Sequence, residues 1–116
     1  MLIFVYGTLK RDGSNHHYLE GQRFVGRAVT KPLYRLYDLG GYPGMVADPE
    51  LGSPIEGEVW DVDRGCLQRL DELEDVDGGE YAREVIPLEA PFSGDEIQGY
   101  RYLRSVAGCR DLGASW

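Results

Sequence analysis

The stretch Leu2-Ile3-Phe4-Val5-Tyr6-Gly7-Thr8-Leu9-Lys10 opens the chain with an apolar run that stops at a glycine turn. Consecutive apolar residues, β-branched in part and bounded by Gly-Thr, read as a strand entering a core. A strand that ends this way can leave successive backbone N–H groups pointing in one direction. Such a concave set of donors suits a small anion such as a carboxylate. Glycine supplies the dihedrals this needs and lets a ligand approach without a Cβ in the way. The other reading of Tyr6–Leu9 is a strand that ends in an ordinary turn, because short glycine motifs recur by chance.

Outward from this strand, short apolar runs alternate with glycine and proline, the signature of a mostly β protein. Strands are expected at Leu2–Tyr6, Arg23–Thr30, Leu33–Leu39, Met45–Ala47, Ile55–Val62, Tyr81–Leu88 and Ile97–Leu103. In Glu56-Gly57-Glu58-Val59-Trp60-Asp61-Val62 apolar and acidic positions change places along the run. The chain holds 16 glycines, and the Gly40-Gly41-Tyr42-Pro43-Gly44 cluster supplies turns and bulges of the kind that strongly curved sheets need. So many short strands in one domain, residues 1–116, favour a barrel-like closure that removes exposed edges. One segment reads as a helix: Asp63 is a good N-cap, and Cys66, Leu67, Leu70 and Leu73 follow at helical spacing. Gly78-Gly79 is expected to end it. A short helical turn is expected around Asn15–Glu20.

Composition narrows the function. The net charge is −8, from 20 acidic and 12 basic side chains. A binder of phosphate backbones needs the opposite balance, and an acidic surface does not dock on anionic lipid. Nucleic acid and membrane are therefore not expected partners. No apolar stretch reaches transmembrane length. Two cysteines, Cys66 and Cys109, are too few for a disulfide framework, so reduced thiols and a cytoplasmic location are expected, with a single Cys66–Cys109 bridge as the alternative.

On the helix, one carboxylate faces the wrong way. With about 100° per residue and Leu67 at zero, Leu70 falls at about 300° and Glu74 at about 340°, inside the apolar stripe. Glu72 falls at about 140°, on the solvated face. Burial disfavours a charged carboxylate, and the negative end of the helix dipole does the same. Asp71, Asp75 and Asp77 add like charge nearby. Each effect raises the Glu74 pKa toward the range useful to a general acid or base. Two bland alternatives stand beside this: a helix that ends before Glu74 and turns it to solvent, or a salt bridge from Glu74 to Arg83. Tyr81 and Arg83 share one face of the following strand, placed to meet Glu74, a substrate or only each other. Gly40–Met45 is either a pocket mouth or a plain loop. His16 and His17 could suggest a metal hydrolase, but adjacent histidines diverge on a regular element.

Taken together, these residues resemble the γ-glutamylcyclotransferase-like superfamily, especially its γ-glutamylamine cyclotransferase (AIG2-like) branch. The family's opening strand and Y-G-T-L turn stand here as Val5-Tyr6-Gly7-Thr8-Leu9-Lys10, its Y-P-G segment as Tyr42-Pro43-Gly44, and its G-E-V-[YW] strand as Gly57-Glu58-Val59-Trp60. The most specific block is L-D-x-x-E followed by Y-x-R, present as Leu70-Asp71-Glu72-Leu73-Glu74 and Tyr81-Ala82-Arg83. Tyr100-Arg101-Tyr102 matches the late aromatic strand. The C-terminus departs from the pattern: Cys109–Trp116 is short where larger members carry more chain on the leaving-group side.

The resemblance implies an α+β, mostly β fold, a small closed or partly closed mixed β-barrel with a few short helices. It implies Glu74 as the acid/base residue and Tyr6–Leu9 as the clamp on a γ-glutamyl head. Tyr6, Gly7, Thr8, Leu9, Tyr81 and Arg83 form the expected substrate-binding set. The expected reaction cyclises a γ-glutamyl amide to 5-oxoproline and a free amine. The substrate's own α-amine attacks, so no cofactor, metal or protein nucleophile is called for. The small-molecule γ-glutamyl substrate is the expected partner. The alternative is a non-catalytic module on the same fold that binds a glutamate-like carboxylate.

Overall fold

The computed structural model describes residues 1–114 and 116. Eight strands follow in order: β1 (Leu2–Val5), β2 (Arg23–Val29), β3 (Tyr34–Asp38), β4 (Pro43–Ala47), β5 (Glu56–Asp61), β6 (Tyr81–Val85), β7 (Gln98–Tyr102) and β8 (Arg110–Gly113). One α-helix, α1 (Arg64–Leu73), links β5 to β6, and 3₁₀ turns cover Gly7–Leu9 and His16–Leu19. The strands form a five-stranded sheet in the order β2-β5-β1-β7-β6 and a three-stranded sheet in the order β4-β3-β8. Pairing is antiparallel except between β1 and β7, which run parallel. Among the described residues the strands form two hydrogen-bonded ladders around one mixed, mostly β core, the α+β, mostly β fold that was expected.

The opening strand sits at the centre of the larger sheet, and its alternation divides the core. Phe4 points to one face, where Tyr34, Leu36 and Met45 of the smaller sheet pack with Val59 and Ile97. Ile3 and Val5 point to the other, against Leu19, Cys66 and Leu70 from the second 3₁₀ turn and the helix. β1 is paired on both edges and covered on both faces, which is why it reads as a continuous apolar run. Three layers result: small sheet, large sheet, helix.

Tyrosine hydroxyls tie the layers together at the end of β1. Tyr6 donates to the carbonyl of Tyr100 at 2.8 Å and accepts from the Met45 N–H at 3.1 Å. Tyr81 donates to the carbonyl of Pro43 at 3.1 Å. These three bonds join β1, β4, β6 and β7.

The helix starts as expected, with the Asp63 carboxylate accepting the Cys66 N–H at 2.7 Å. It stops earlier than the glycine pair suggests. Glu74 is the C-cap, and Asp75 takes the left-handed conformation at φ 50°. The Asp75 side chain then accepts the Gly78 N–H at 3.2 Å, closing the turn that glycine was expected to open. Among the strands, two departures stand out. The expected Tyr81–Leu88 strand ends at Val85, ahead of Pro87, whose ring has no N–H to donate. The strand β8 was not expected, because Arg110-Asp111-Leu112-Gly113 carries a single large apolar residue. Tertiary contact stabilises it: the Arg35 guanidinium reaches across to Asp111, Nε to Oδ2 at 2.9 Å. Both cysteines are free thiols.

Candidate active site

A cavity of about 310 Å³ opens where β1 ends. Its inner wall is buried and formed by Phe4, Val5, Tyr6, Leu9, Pro43, Tyr81 and Tyr100, while Ser14, Gly40, Gly41 and Tyr42 form an exposed rim. Thr8, Asn15, Leu73, Glu74 and Glu80 complete it. Residues far apart in sequence meet here because β1 lies beside β7 and the β3–β4 hairpin tip folds over both.

Glu74 is half-buried and lines this cavity. The helix does end just before it, yet its side chain turns to the cavity. Burial pushes its pKa up to about 7, with further help from the charge of Glu80. The like charge was expected from Asp71, Asp75 and Asp77; the structure supplies it from Glu80 instead. No cation pairs with Glu74 among the described residues. Arg83, the candidate partner, is engaged elsewhere: its Nε donates to Asp71 Oδ1 at 2.9 Å and its Nη1 donates to Gln98. Asp71 also accepts the Tyr100 hydroxyl at 2.8 Å. Arg83 is therefore not among the lining residues and sits behind the wall, holding the helix end against β6 and β7.

Tyr6, Thr8 and Leu9 of the Tyr6–Leu9 loop line the same cavity, with Gly7 packed behind against Pro43. Gly7 takes φ 62°, and a Cβ there would stand 2.3 Å from Pro43 Cγ, so only glycine fits. Among the described residues the backbone N–H groups of Gly7 and Thr8 make no hydrogen bond. The loop is braced from outside the cavity. Asn15 donates from its N–H to the Thr8 carbonyl at 2.9 Å and from its side-chain amide to the Thr8 hydroxyl at 3.1 Å. His16 Nδ1 meets the Leu9 carbonyl at 3.2 Å.

Glu58 anchors the next residues, and sequence reasoning missed it. Its buried carboxylate accepts the Arg11 N–H at 3.0 Å, the Arg11 guanidinium at 3.1 Å and the Trp60 indole N–H at 3.2 Å. Burial opposes the charge on Glu58, but these donors outweigh it and hold the carboxyl below its usual range. The signal was available: Glu58 shares strand parity with the buried Trp60 and Val62, so it lies on an apolar face. Glu80 and Tyr100, also missed, carry no comparable local mark.

Tyr6 and Tyr81 meet the cavity with hydroxyls already bonded to the backbone. Burial keeps both phenols, and that of Tyr100, far above the ordinary range and hence protonated. His16 and His17 face different neighbours, Trp60 and Tyr18. Among the described residues no three His, Cys, Asp or Glu side chains gather as a metal site. Also among them, no helix is long and apolar enough to cross a membrane.

A mostly β domain of two sheets and one helix has clear counterparts. The family model described as "Gamma-glutamyl cyclotransferase, AIG2-like" matches residues 3–116. A Vibrio cholerae protein bearing a provisional gamma-glutamylcyclotransferase name is 45% identical over 112 residues, covering 97% of this chain and 92% of its own. The solution structure of YtfP from Escherichia coli superposes with TM-score 0.73 at 35% identity, covering 100% of this chain and 96% of that one. The crystal structure of an AIG2-like protein from Mus musculus gives TM-score 0.71 at 31% identity, over 90% of this chain and 76% of that one. The chain belongs to the gamma-glutamyl cyclotransferase, AIG2-like family.

Proposed function

We propose that the protein cleaves a γ-glutamyl amide by cyclisation, releasing 5-oxoproline and a free amine, with Glu74 as the general acid/base. The observation that carries this reading is Glu74 itself: an unpaired carboxyl with a pKa near 7, in the same cavity as the Tyr6–Leu9 loop. A passive carboxylate-binding module gains nothing from an acidic group placed beside its anion.

The substrate's α-carboxylate would rest on the cavity side of the Tyr6–Leu9 loop, where the Thr8 N–H is free and the Asn15 and Glu58 contacts hold the backbone in place. Glu74 would take a proton from the α-ammonium. The freed amine attacks the γ-carbonyl, forming the ring C–N bond, and the old amide C–N bond breaks as Glu74 returns the proton to the departing nitrogen; the second proton of the ring nitrogen then passes through the same carboxylate to the amine, which leaves as an ammonium. Well-oriented intramolecular attack can gain roughly 7–11 kcal/mol, so holding the glutamyl arm folded is a large share of the catalysis. The substrate's α-amine, beside its own carboxylate, is more basic than the roughly 8 of a peptide terminus, and an ordinary glutamate stands at about 4.3, so raising Glu74 narrows the gap that proton transfer must cross.

The test is to supply γ-glutamyl amides and measure 5-oxoproline. Turnover that drops by roughly 10²–10⁴ in Glu74→Gln is expected. Saturable binding of glutamate with no turnover at any pH would establish the binding-module reading instead.

A further inference from the structure

A second cavity, of about 660 Å³, shares no lining residue with the one that holds Glu74. It lies where Lys10, Arg11 and Asp12 meet the paired strands β2 and β5. Arg27 stands directly opposite Glu58 and Val29 opposite Glu56, so these four side chains leave one face of the sheet. Most of the chain's lysines and arginines are ion-paired, but among the described residues the Lys10 and Arg27 side chains have no partner. Asp12 and Glu56, on the same cavity, have no ion-pair partner either. Arg11 is held but only half used. Its Nε donates to Glu58 Oε2 at 3.1 Å and its guanidinium carbon lies 3.8 Å from the Phe24 ring centroid, while its Nη nitrogens make no hydrogen bond among the described residues. A guanidinium fixed by a buried carboxylate and an aromatic face has already lost its rotamer freedom. Its remaining donors suit an oxyanion.

The mixed charge selects between ligand classes. A simple anion would gain from the three cations but would also face Asp12 and Glu56, whereas a zwitterion meets both signs. Arg27 and Glu56 are diagonal neighbours on the paired strands, so their side chains leave the sheet about 7–8 Å apart. With a hydrogen bond of about 2.8 Å at each end, the adjacent carboxylate and ammonium of an α-amino acid fill a gap of that order. We infer that this second cavity is a binding site for a free α-amino acid with a short aliphatic side chain. The carboxylate rests on Arg11 and Arg27, the ammonium on Glu56, and the side chain on Val29. Binding there needs no turnover, so it stands apart from the cyclotransferase reading.

The experiment titrates the full chain at low salt with L-valine, and separately with isovalerate and isobutylamine, which lack its ammonium and its carboxylate. Backbone amide NMR shifts report both affinity and place. Valine should give saturable shifts at Lys10–Asp12, Arg27–Val29 and Glu56–Glu58, and bind at least roughly tenfold more tightly than either analogue. Arg27→Gln and Glu56→Gln alter exposed side chains. Each should weaken valine by roughly tenfold, and Glu56→Gln should leave isovalerate unchanged. Valine shifts confined to Glu74 and Gly40–Tyr42, or no saturable shift up to the solubility limit, overturn the assignment. So does isovalerate binding as tightly as valine, which would mark a plain anion site. Valine affinity untouched by both substitutions overturns it as well.

Discussion

Glu74→Gln separates what the site does from what the fold would prefer. The Glu74 carboxyl stands at about 7 against an ordinary 4.5 because it is buried near Glu80 with no cation to offset the cost. An acid raised in the folded state stabilises the fold while protonated and loses that contribution on ionising. Its share of stability is therefore complete below about pH 4.5, declines as pH rises from there to about 7, and is gone above. The full difference is about 3 kcal/mol. Glutamine copies the shape of the protonated acid without the charge. The variant should match the parent at pH 4 and exceed it by about 2–3 kcal/mol at pH 8. In thermal unfolding that is a rise on the order of 10 °C. Urea unfolding of both proteins across this range measures the difference directly, and effects of other titrating groups cancel between them. A stability difference that is the same at pH 4 and pH 8 would refute the claim that this carboxyl is desolvated. The gain should coincide with loss of 5-oxoproline formation, the trade expected where a site holds a group in an unfavourable state.

Four further outcomes follow from the same geometry. The pH profile of kcat/KM should be a bell, rising through about 7 as Glu74 ionises and falling above about 8, where the substrate's α-ammonium, made more basic by its own carboxylate, is lost. Glu80→Gln should move the rising limb to lower pH, because Glu80 is one cause of the raised Glu74 value. Asp71→Ala leaves the Arg83 guanidinium and the Tyr100 hydroxyl without their shared acceptor, so stability should fall by about 1–3 kcal/mol in denaturant titration. With the helix end loosened from the cavity wall, kcat should fall more than KM rises. Gly7→Ala forces a side chain into φ 62° and against Pro43. It should cost about 1–3 kcal/mol of stability in the same titration and abolish turnover, whereas an alanine at exposed Gly94, which meets nothing within 4 Å, should do neither.

Short-range pattern placed most of the elements, for reasons visible in single segments. The Leu2–Val5 run, the parity of Glu56–Val62 and the Asp63 cap followed by Leu67 and Leu70 each carry their structure locally, because side-chain period and capping involve residues only a few positions apart. Boundaries slipped where a partner decided them. Arg110–Gly113 becomes a strand only because β3 and the Arg35–Asp111 pair hold it. The helix stops at Leu73, and Asp75 turns the chain just beyond the cap because an aspartate can reach its own turn, a choice that the glycines nearby obscured.

Sequence by itself determined the parts of the site that depend on one segment: a glycine-bound loop after β1, and a carboxylate on the apolar side of a helix end. Which groups surround them was decided by tertiary structure alone. The order β1-β7-β6 gives Arg83 to Asp71 and not to Glu74, and it places Tyr100 beneath the cavity. The fold of the β3–β4 hairpin tip brings Tyr42 onto Glu80, a pair separated by 38 positions. Burial and charge act over a few ångströms of space, so the protonation of Glu74 is set by neighbours that chain order does not reveal.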